Sequence, residues 1–395
     1  MKILVVTNYY YPEIGAAASR IQLMAENLQK QGFNVEILCP LPNYPKGRVF
    51  NGYRKKIFVH EFINKTKVFR YFISPSNSSN LILRIFSMFS FAISLWLFAF
   101  KIKSIKQKDL IIIQNSPLLV SFSANILFSY IYKKKTILNV SDLWPLSALE
   151  LGVMRKGKIY NILERIEQYN YKMSSAFMGQ SNEILDHITL FNNKPKFLYW
   201  NIPNNDNVVN KYDSKKIKIV YAGLLGVAQG IYSILRKVDF KKLSAEFHIY
   251  GDGSEKKLIK DYIIQNPKSN IYFHGSISKT DLNLILPSFY ASIIPLKTSI
   301  YGAVPSKIFE LISHGVPIIF SGDGEGASII KDNNLGYTSK PGDFDSLIKN
   351  INLLINLDSK SYMQMKESCI NLSKNEFNFK NQIHSLISFL KNNKL

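Results

Sequence analysis

Short, uncharged apolar runs alternate along this chain with stretches whose apolar residues recur every three or four positions. The first kind predicts buried strands and the second amphipathic helices. Residues 3–6 read as a strand, 16–30 as a helix closed by Gly32, and 35–38 as the next strand. Strands follow at 109–114, 136–140 and 176–178, with helices at 118–132 and 159–173. Asn201-Ile202-Pro203-Asn204-Asn205-Asp206 interrupts the alternation with a polar, proline-bearing break. Beyond it lie strands at 217–221, 247–250, 270–273 and 291–294. Repeats of strand, helix and strand predict an α/β protein with parallel sheets. A length of 395 residues asks for two cores. The expected division is 1–203, then 204–375, with a closing helix over 376–395 that packs back on the first domain.

Residues 299–330, SIYGAVPSKIFELISHGVPIIFSGDGEGASII, carry the most chemistry. Pro305 suits the first position of a helix, where its missing N–H is no loss. Ile308, Phe309, Leu311 and Ile312 keep helical spacing. Gly315 then suits a left-handed cap ahead of a buried strand over 316–320. Lys307 and Glu310 are three apart and share one helical face. They are either an ordinary surface ion pair or a site: helix N-terminus and ammonium meeting a phosphate, carboxylate taking ribose hydroxyls. Spacing alone leaves both readings open.

Other candidates stand where parallel sheets bind ligands, just past the carboxyl ends of strands. Gly223, Gly226 and Gly230 punctuate the loop after 217–221, Gly251 and Gly253 the turn after 247–250, and Gly275 the turn after 270–273. Ser141-Asp142-Leu143-Trp144-Pro145 follows the strand 136–140. Asp142 is there either a ligand-facing carboxylate or a cap on the next helix. Gly15 opens the first helix and lets a ligand approach backbone N–H groups. Arg20, one turn further, faces either a ligand or solvent. Asp343-Phe344-Asp345 has the form of a metal-binding pair, but its place before a helix at Ser346 favours capping. Gly322-Asp323-Gly324-Glu325-Gly326 lacks the spacing of a dinucleotide fingerprint. His274 reads as structural.

The pattern V-P-S-K-x-x-E, then G-x-P and G-E, is here Val304, Pro305, Ser306, Lys307, Glu310, Gly315, Pro317, Gly324 and Glu325. It resembles the donor segment of glycosyltransferase family 4. Asp142-Leu143-Trp144-Pro145, residues 41–56 and the turn at Gly15 resemble one branch of it. That branch assembles O-antigen and capsule and includes proteins assigned as fucosamine transferases. The resemblance implies the GT-B fold, two Rossmann-like domains with parallel sheets facing a cleft. It implies a retaining enzyme that moves a hexosyl or N-acetylhexosaminyl group from a nucleotide sugar to a polyprenyl-diphosphate-linked saccharide. No cofactor and no metal are required in this reading. Lys307, Glu310 and Asp142 are its catalytic candidates. The donor would meet Gly223, Gly226, Gly251, Gly275, Ser306, Gly324 and Glu325 besides Lys307 and Glu310. The acceptor would meet Gly15, Arg20, Asp142 and Trp144. Two departures stand out. The family's earlier glutamate falls on Gly302, and Leu224 and Gln229 occupy a loop where many relatives have Arg and Lys. Lys307 is left as the main cation for the diphosphate. A nucleotide-sugar 2-epimerase shares the fold and is the alternative; a non-catalytic membrane or nucleic-acid binding module leaves the donor segment unexplained.

Charge adds a partner. The chain carries +22, and residues 1–200 hold 26 Lys/Arg against 11 Asp/Glu. A Lys-rich codon bias produces such an excess, and so does selection for an anionic surface. In residues 46–70 eight cations face one acid, Glu61, interleaved with Phe50, Tyr53, Phe58, Phe62 and Phe69. That mixture suits anionic lipid or single-stranded nucleic acid. Residues 85–100 then run for 16 positions without charge. A helix of that length is about 24 Å long, short of a ~30 Å hydrocarbon core. It is either a core helix or one sunk into a single leaflet between flanking cations. Nucleic acid has no use for it, so an anionic membrane surface is the expected partner and nucleic acid is not. Two cysteines, Cys39 and Cys369, fit a reducing compartment. Residues 3–6 are too short for the core of a secretion signal. The expected place is cytoplasmic, peripheral or monotopic on the inner face of a bacterial cell membrane.

Overall fold

The computed structural model describes residues 1–76, 81–99, 105–204 and 217–395. Asn205 and Asp206 of the polar break, Phe100, Lys101 and Lys103 lie outside the described residues. The chain divides into two compact units, Met1–Asn201 with Phe379–Leu395, and Ile202–Asn378.

The first unit runs β1 (Lys2–Val6), α1 (Ala16–Lys30), β2 (Asn34–Pro40), β3 (Phe58–Ile63), β4 (Thr66–Tyr71), α2 (Leu81–Ala99), β5 (Leu110–Gln114), α3 (Leu118–Asn125) with a π turn over Ile126–Ile131, β6 (Lys135–Val140), α4 (Leu146–Glu150), α5 (Lys158–Met173), β7 (Ala176–Gly179), α6 (Asn182–Thr189) and β8 (Lys196–Leu198). Its sheet has the order β3-β4-β2-β1-β5-β6-β7-β8. All neighbours are parallel except the β3/β4 hairpin. In the two central strands residues 3–6 and 110–113 are apolar and buried, because both faces of a parallel sheet are covered.

The second unit runs β9 (Ile217–Ala222), α7 (Ile231–Lys237), β10 (Ala245–Tyr250), α8 (Lys256–Gln265), β11 (Ile271–Gly275), α9 (Lys279–Ile285), β12 (Ala291–Pro295), α10 (Ser306–Ser313), β13 (Ile318–Ser321), α11 (Glu325–Asp332), β14 (Gly336–Ser339), α12 (Phe344–Ile355) and α13 (Ser359–Asn375). Its all-parallel sheet has the order β11-β10-β9-β12-β13-β14. The last helix, α14 (Phe379–Asn392), returns to the first unit. There Gln382 brackets the backbone of Trp200, accepting from its N–H at 2.9 Å and donating to its carbonyl at 3.1 Å.

One expectation is corrected. The basic, aromatic run over 46–70 is not one open face: its second half is the β3/β4 hairpin, and β4 pairs in parallel with β2. That pairing buries Phe69 and Tyr71 in the core. Arg70 is fully buried too, donating to Glu61, the Tyr11 carbonyl and Cys39 Sγ. Lys108, which follows the apolar run in sequence, is buried on Glu36 at 2.6 Å. Helix α2 is neither wholly core nor wholly bare. Phe91 and Leu95 are 0% exposed, and Trp96 donates to Ser123 of α3 at 2.8 Å. The opposite side of α2 has no cover among the described residues. No described helix is long and apolar enough to cross a membrane.

Candidate active site

In the second unit, α10 begins at Ser306, one residue later than the sequence pattern set it, with Pro305 extended as the N-cap. Ile308, Phe309, Leu311 and Ile312 are its buried face, which leaves Lys307 and Glu310 on the flank. The Lys307 ammonium lies over the Tyr221 ring, 4.2 Å from its centroid. It also fills the space that a side chain at residue 223 would need: a Cβ on Gly223 would stand 2.2 Å from Lys307 Nζ. Gly223, at φ +152°, is favoured by its backbone, whereas the flexible end of Lys307 could shift to admit a side chain there.

Three of the expected glycines form one structure. Gly223 N–H donates to the Tyr250 carbonyl at 2.9 Å, and Gly251 N–H to the Gly275 carbonyl at 2.8 Å. A Cβ on Gly251 would lie 1.9 Å from the Gly223 carbonyl oxygen, so the turns after β9 and β10 touch backbone to backbone. Gly226 is apart from this contact; it turns the loop into α7, its carbonyl accepting from Gln229 and Gly230. Gly324 is the N-cap of α11 and Glu325 its first residue. A Cβ on the next residue, Gly326, would sit 3.4 Å from both Pro305 and Ile308, so the N-termini of α10 and α11 lie together. No side chain caps either one. Two helix N-termini and an ammonium then present positive potential on one side of the sheet's carboxyl end.

The electrostatics separate this pair from an ordinary surface ion pair. Lys307 and Glu310 are only partly exposed, and among the described residues no carboxylate lies within ion-pair distance of Lys307. Burial lowers the Lys307 pKa to about 8, against a smaller opposing pull from Glu310. Burial raises that of Glu310, opposed by Lys279 and Lys307. Each charge is thus held partly desolvated without a direct counter-ion, the condition under which an incoming diphosphate or hydroxyl gains most. Gly302, at φ +82°, supplies no second carboxylate.

In the first unit Arg20 is buried, which removes the solvent-facing reading. Its Nη2 donates to Ser141 Oγ at 2.8 Å, while Nε has no hydrogen-bond partner. Burial presses its pKa down, opposed by Tyr199 and Asp142. The hydroxyl of Tyr199, also buried, is likewise unpaired. Asp142 and Trp144 are exposed. Asp142 caps nothing, because the N-cap of α4 is Pro145 without a side-chain bond. The protein around its carboxyl raises its pKa, opposed by Arg20. Gly15 is the N-cap of α1, yet neither its φ of 161° nor its surroundings demand glycine. A Cβ there would make ordinary contact with the Tyr44 ring at 3.6 Å.

Glu13 was missed. It is buried, and its carboxylate accepts from the N–H groups of Tyr10, Asn43 and Tyr44 at 3.2, 2.8 and 2.8 Å. One side chain so pins the loop before α1 to the loop after β2. An acid between Pro12 and Ile14 was the available signal. Tyr221 was missed as well, since nothing local marks an aromatic at a strand end as the floor of an ammonium. Asp343 accepts from Ser346 N–H at 3.0 Å as the N-cap of α12. No group of three His, Cys, Asp or Glu placed for a metal exists among the described residues.

The chain is similar to several known proteins. Residues 203–371 match the family described as glycosyl transferases group 1. The chain is 24% identical over 303 residues to WbjE of Pseudomonas aeruginosa, named as a glycosyltransferase, covering 71% of this chain and 75% of that one. It is 25% identical over 339 residues to WcaI of Escherichia coli K12, named as a colanic acid biosynthesis glycosyl transferase, covering 80% and 82%. The crystal structure of Anabaena HepE in complex with UDP superposes with a TM-score of 0.71 at 11% identity, over 99% of this chain and 100% of that one.

Proposed function

From the premise that this chain is a glycosyltransferase of GT-B fold, with residues 203–371 as its group 1 domain, we propose that it moves a sugar from a nucleotide-sugar donor to a lipid-linked saccharide during cell-surface polysaccharide assembly. The observation that carries the donor half is Lys307: a partly buried ammonium on Tyr221 and Gly223, beside two uncapped helix N-termini. As the bond between sugar and diphosphate breaks, negative charge grows on the leaving oxygens. Lys307 and the α10 N-terminus are arranged to meet that charge before it develops. Glu310, three residues on, takes ribose hydroxyls and so sets where the anomeric carbon stands. The bound UDP in HepE favours a uridine nucleotide, and the name of WcaI favours a polysaccharide product. Arg20 and Asp142 serve the acceptor, the guanidinium through its unpaired Nε. In this reading the anomeric configuration is retained and the positive groups of α10 do the work of a metal ion.

The test is a panel of nucleotide sugars with a short polyprenyl-diphosphate saccharide, in excess chelator, followed by NMR of the product. Transfer with retention is the expected outcome. Transfer that stops with chelator and returns only with Mg²⁺ overturns the metal-free reading; an isomerised nucleotide sugar without transfer points to a 2-epimerase.

A pH dependence follows from the lowered Lys307 pKa. Lys307 is protonated below about pH 8 and loses its charge above it. A bound diphosphate favours the charged form and raises the pKa again. Binding of UDP between pH 8 and 9 is therefore accompanied by proton uptake, and affinity falls as pH rises through 8. Calorimetry in buffers of different ionisation enthalpy reads this directly. Uptake that persists in Lys307→Met assigns it to another group.

A further inference from the structure

We propose that the uncovered side of α2 is a docking surface for an anionic lipid bilayer, which deepens the lipid-linked acceptor reading by naming where the enzyme meets the membrane. Leu83, Phe86, Phe89, Ile93 and Leu97 are spaced by three and four residues, and all five are exposed, Phe86 at 59% and Leu97 at 64%. They make one stripe about 21 Å long. The stripe is not a packing fault. The other side of the same helix is locked by Phe91 and Leu95 in the core and by the Trp96–Ser123 bond to α3. The π turn that continues α3 adds exposed Tyr130 and Ile131 and is followed by Lys133, Lys134 and Lys135, with the Lys133 ammonium 4.4 Å from the Tyr130 ring centroid.

The occupant is chosen by charge. From residue 37 to residue 108 the sequence has thirteen Lys/Arg and one acid, Glu61, and that acid is taken by Arg70. Val49 and Tyr53 pack on the same apolar cluster as Phe91 and Leu95. The loop they belong to leaves Lys46, Arg48, Arg54, Lys55 and Lys56 exposed. An apolar stripe with uncompensated cations on a neighbouring loop matches the acyl boundary and headgroups of an anionic leaflet. A second copy of the chain would bring the same cations against them at a net +22 each. A nucleic acid would leave the stripe in water. Each cation that reaches an anionic surface multiplies affinity by about five-fold, and the stripe adds a part that salt does not screen.

The test is sedimentation of the full chain with vesicles of phosphatidylcholine alone or mixed equally with phosphatidylglycerol. Wild type binds the anionic vesicles, more weakly as salt rises but not to zero. The variant Phe86→Ser/Ile93→Ser/Leu97→Ser loses about ten-fold or more in vesicle affinity. It keeps the unfolding temperature and the UDP affinity of wild type, because those side chains support neither the core nor the donor site. Phe89→Trp, a swap that leaves the fold alone, gains emission quenched by brominated lipid beyond that of the native tryptophans. Unchanged binding by the triple variant, no added quenching in Phe89→Trp, or equal binding to neutral vesicles overturns the proposal. A wild-type dimer that the triple variant makes monomeric, with vesicle binding unaffected, replaces lipid by a second copy. A wild type that binds anionic vesicles but has no affinity for UDP leaves the surface standing and removes the donor reading instead.

Discussion

Lys307→Met lowers turnover by about 10²–10³-fold, the usual cost of one preorganised group that stabilises transition-state charge. Methionine keeps an unbranched chain of similar length on the Tyr221 ring and in the space against Gly223, so the second unit stays folded. Only the positive charge is lost. That charge acts most strongly when the diphosphate is departing, so kcat falls by more than donor affinity. The decline of donor affinity above pH 8 disappears in the same variant, since Lys307 is the group that titrates there. Steady-state kinetics on the folded variant checks both effects. A kcat within a few-fold of wild type would sink the assignment of Lys307 to the leaving group.

Glu310→Ala acts on the other half of the donor. A carboxylate accepting ribose hydroxyls makes charge-assisted hydrogen bonds worth about 1.5–3 kcal/mol, so donor affinity falls by about 10- to 100-fold with a smaller change in kcat. The variant has a second signature that a purely structural role would not produce. Glu310 raises the pKa of Lys307 against the effect of burial. Without it the ammonium gives up its proton more readily, and the alkaline limb moves to lower pH. Nucleotide binding as a function of pH measures both. An unchanged dissociation constant together with an unmoved limb would return Glu310 to the role of a surface residue.

The two variants also show how much of the site is local. Lys307, Glu310 and the helix that carries them are legible in the sequence because Ile308, Phe309, Leu311 and Ile312 define a buried face, and the two charges are left beside it. The same local logic places α1 at Ala16–Lys30, the central strands and the turn glycines. In these segments the period of apolar residues and the conformational freedom of glycine decide the outcome within a few residues. What Lys307 rests on is not local. Tyr221 and Gly223 lie more than eighty positions away, and the touching turns of Gly223 and Gly251 exist only because β9 and β10 are neighbours.

The first unit marks the limit more sharply. Strand β4, Thr-Lys-Val-Phe-Arg-Tyr, reads as a basic, aromatic surface because half its residues are polar or charged. Its parallel register with β2 instead buries Phe69 and Tyr71 and carries Arg70 inward onto Glu61. A long-range pairing overrode the local pattern, and the buried cation is tolerated because its donors are satisfied. Arg20 went inward in the same way, to Ser141, 121 residues on. Helix α2 is the opposite case. Its composition marks it as an apolar helix, yet its small polar residues Ser87, Ser90 and Ser94 fall on the buried side, so the polar positions do not mark the face turned to solvent. Which residues face α3 and which face outward was settled by the partners that came to one side and by the lack of any described on the other.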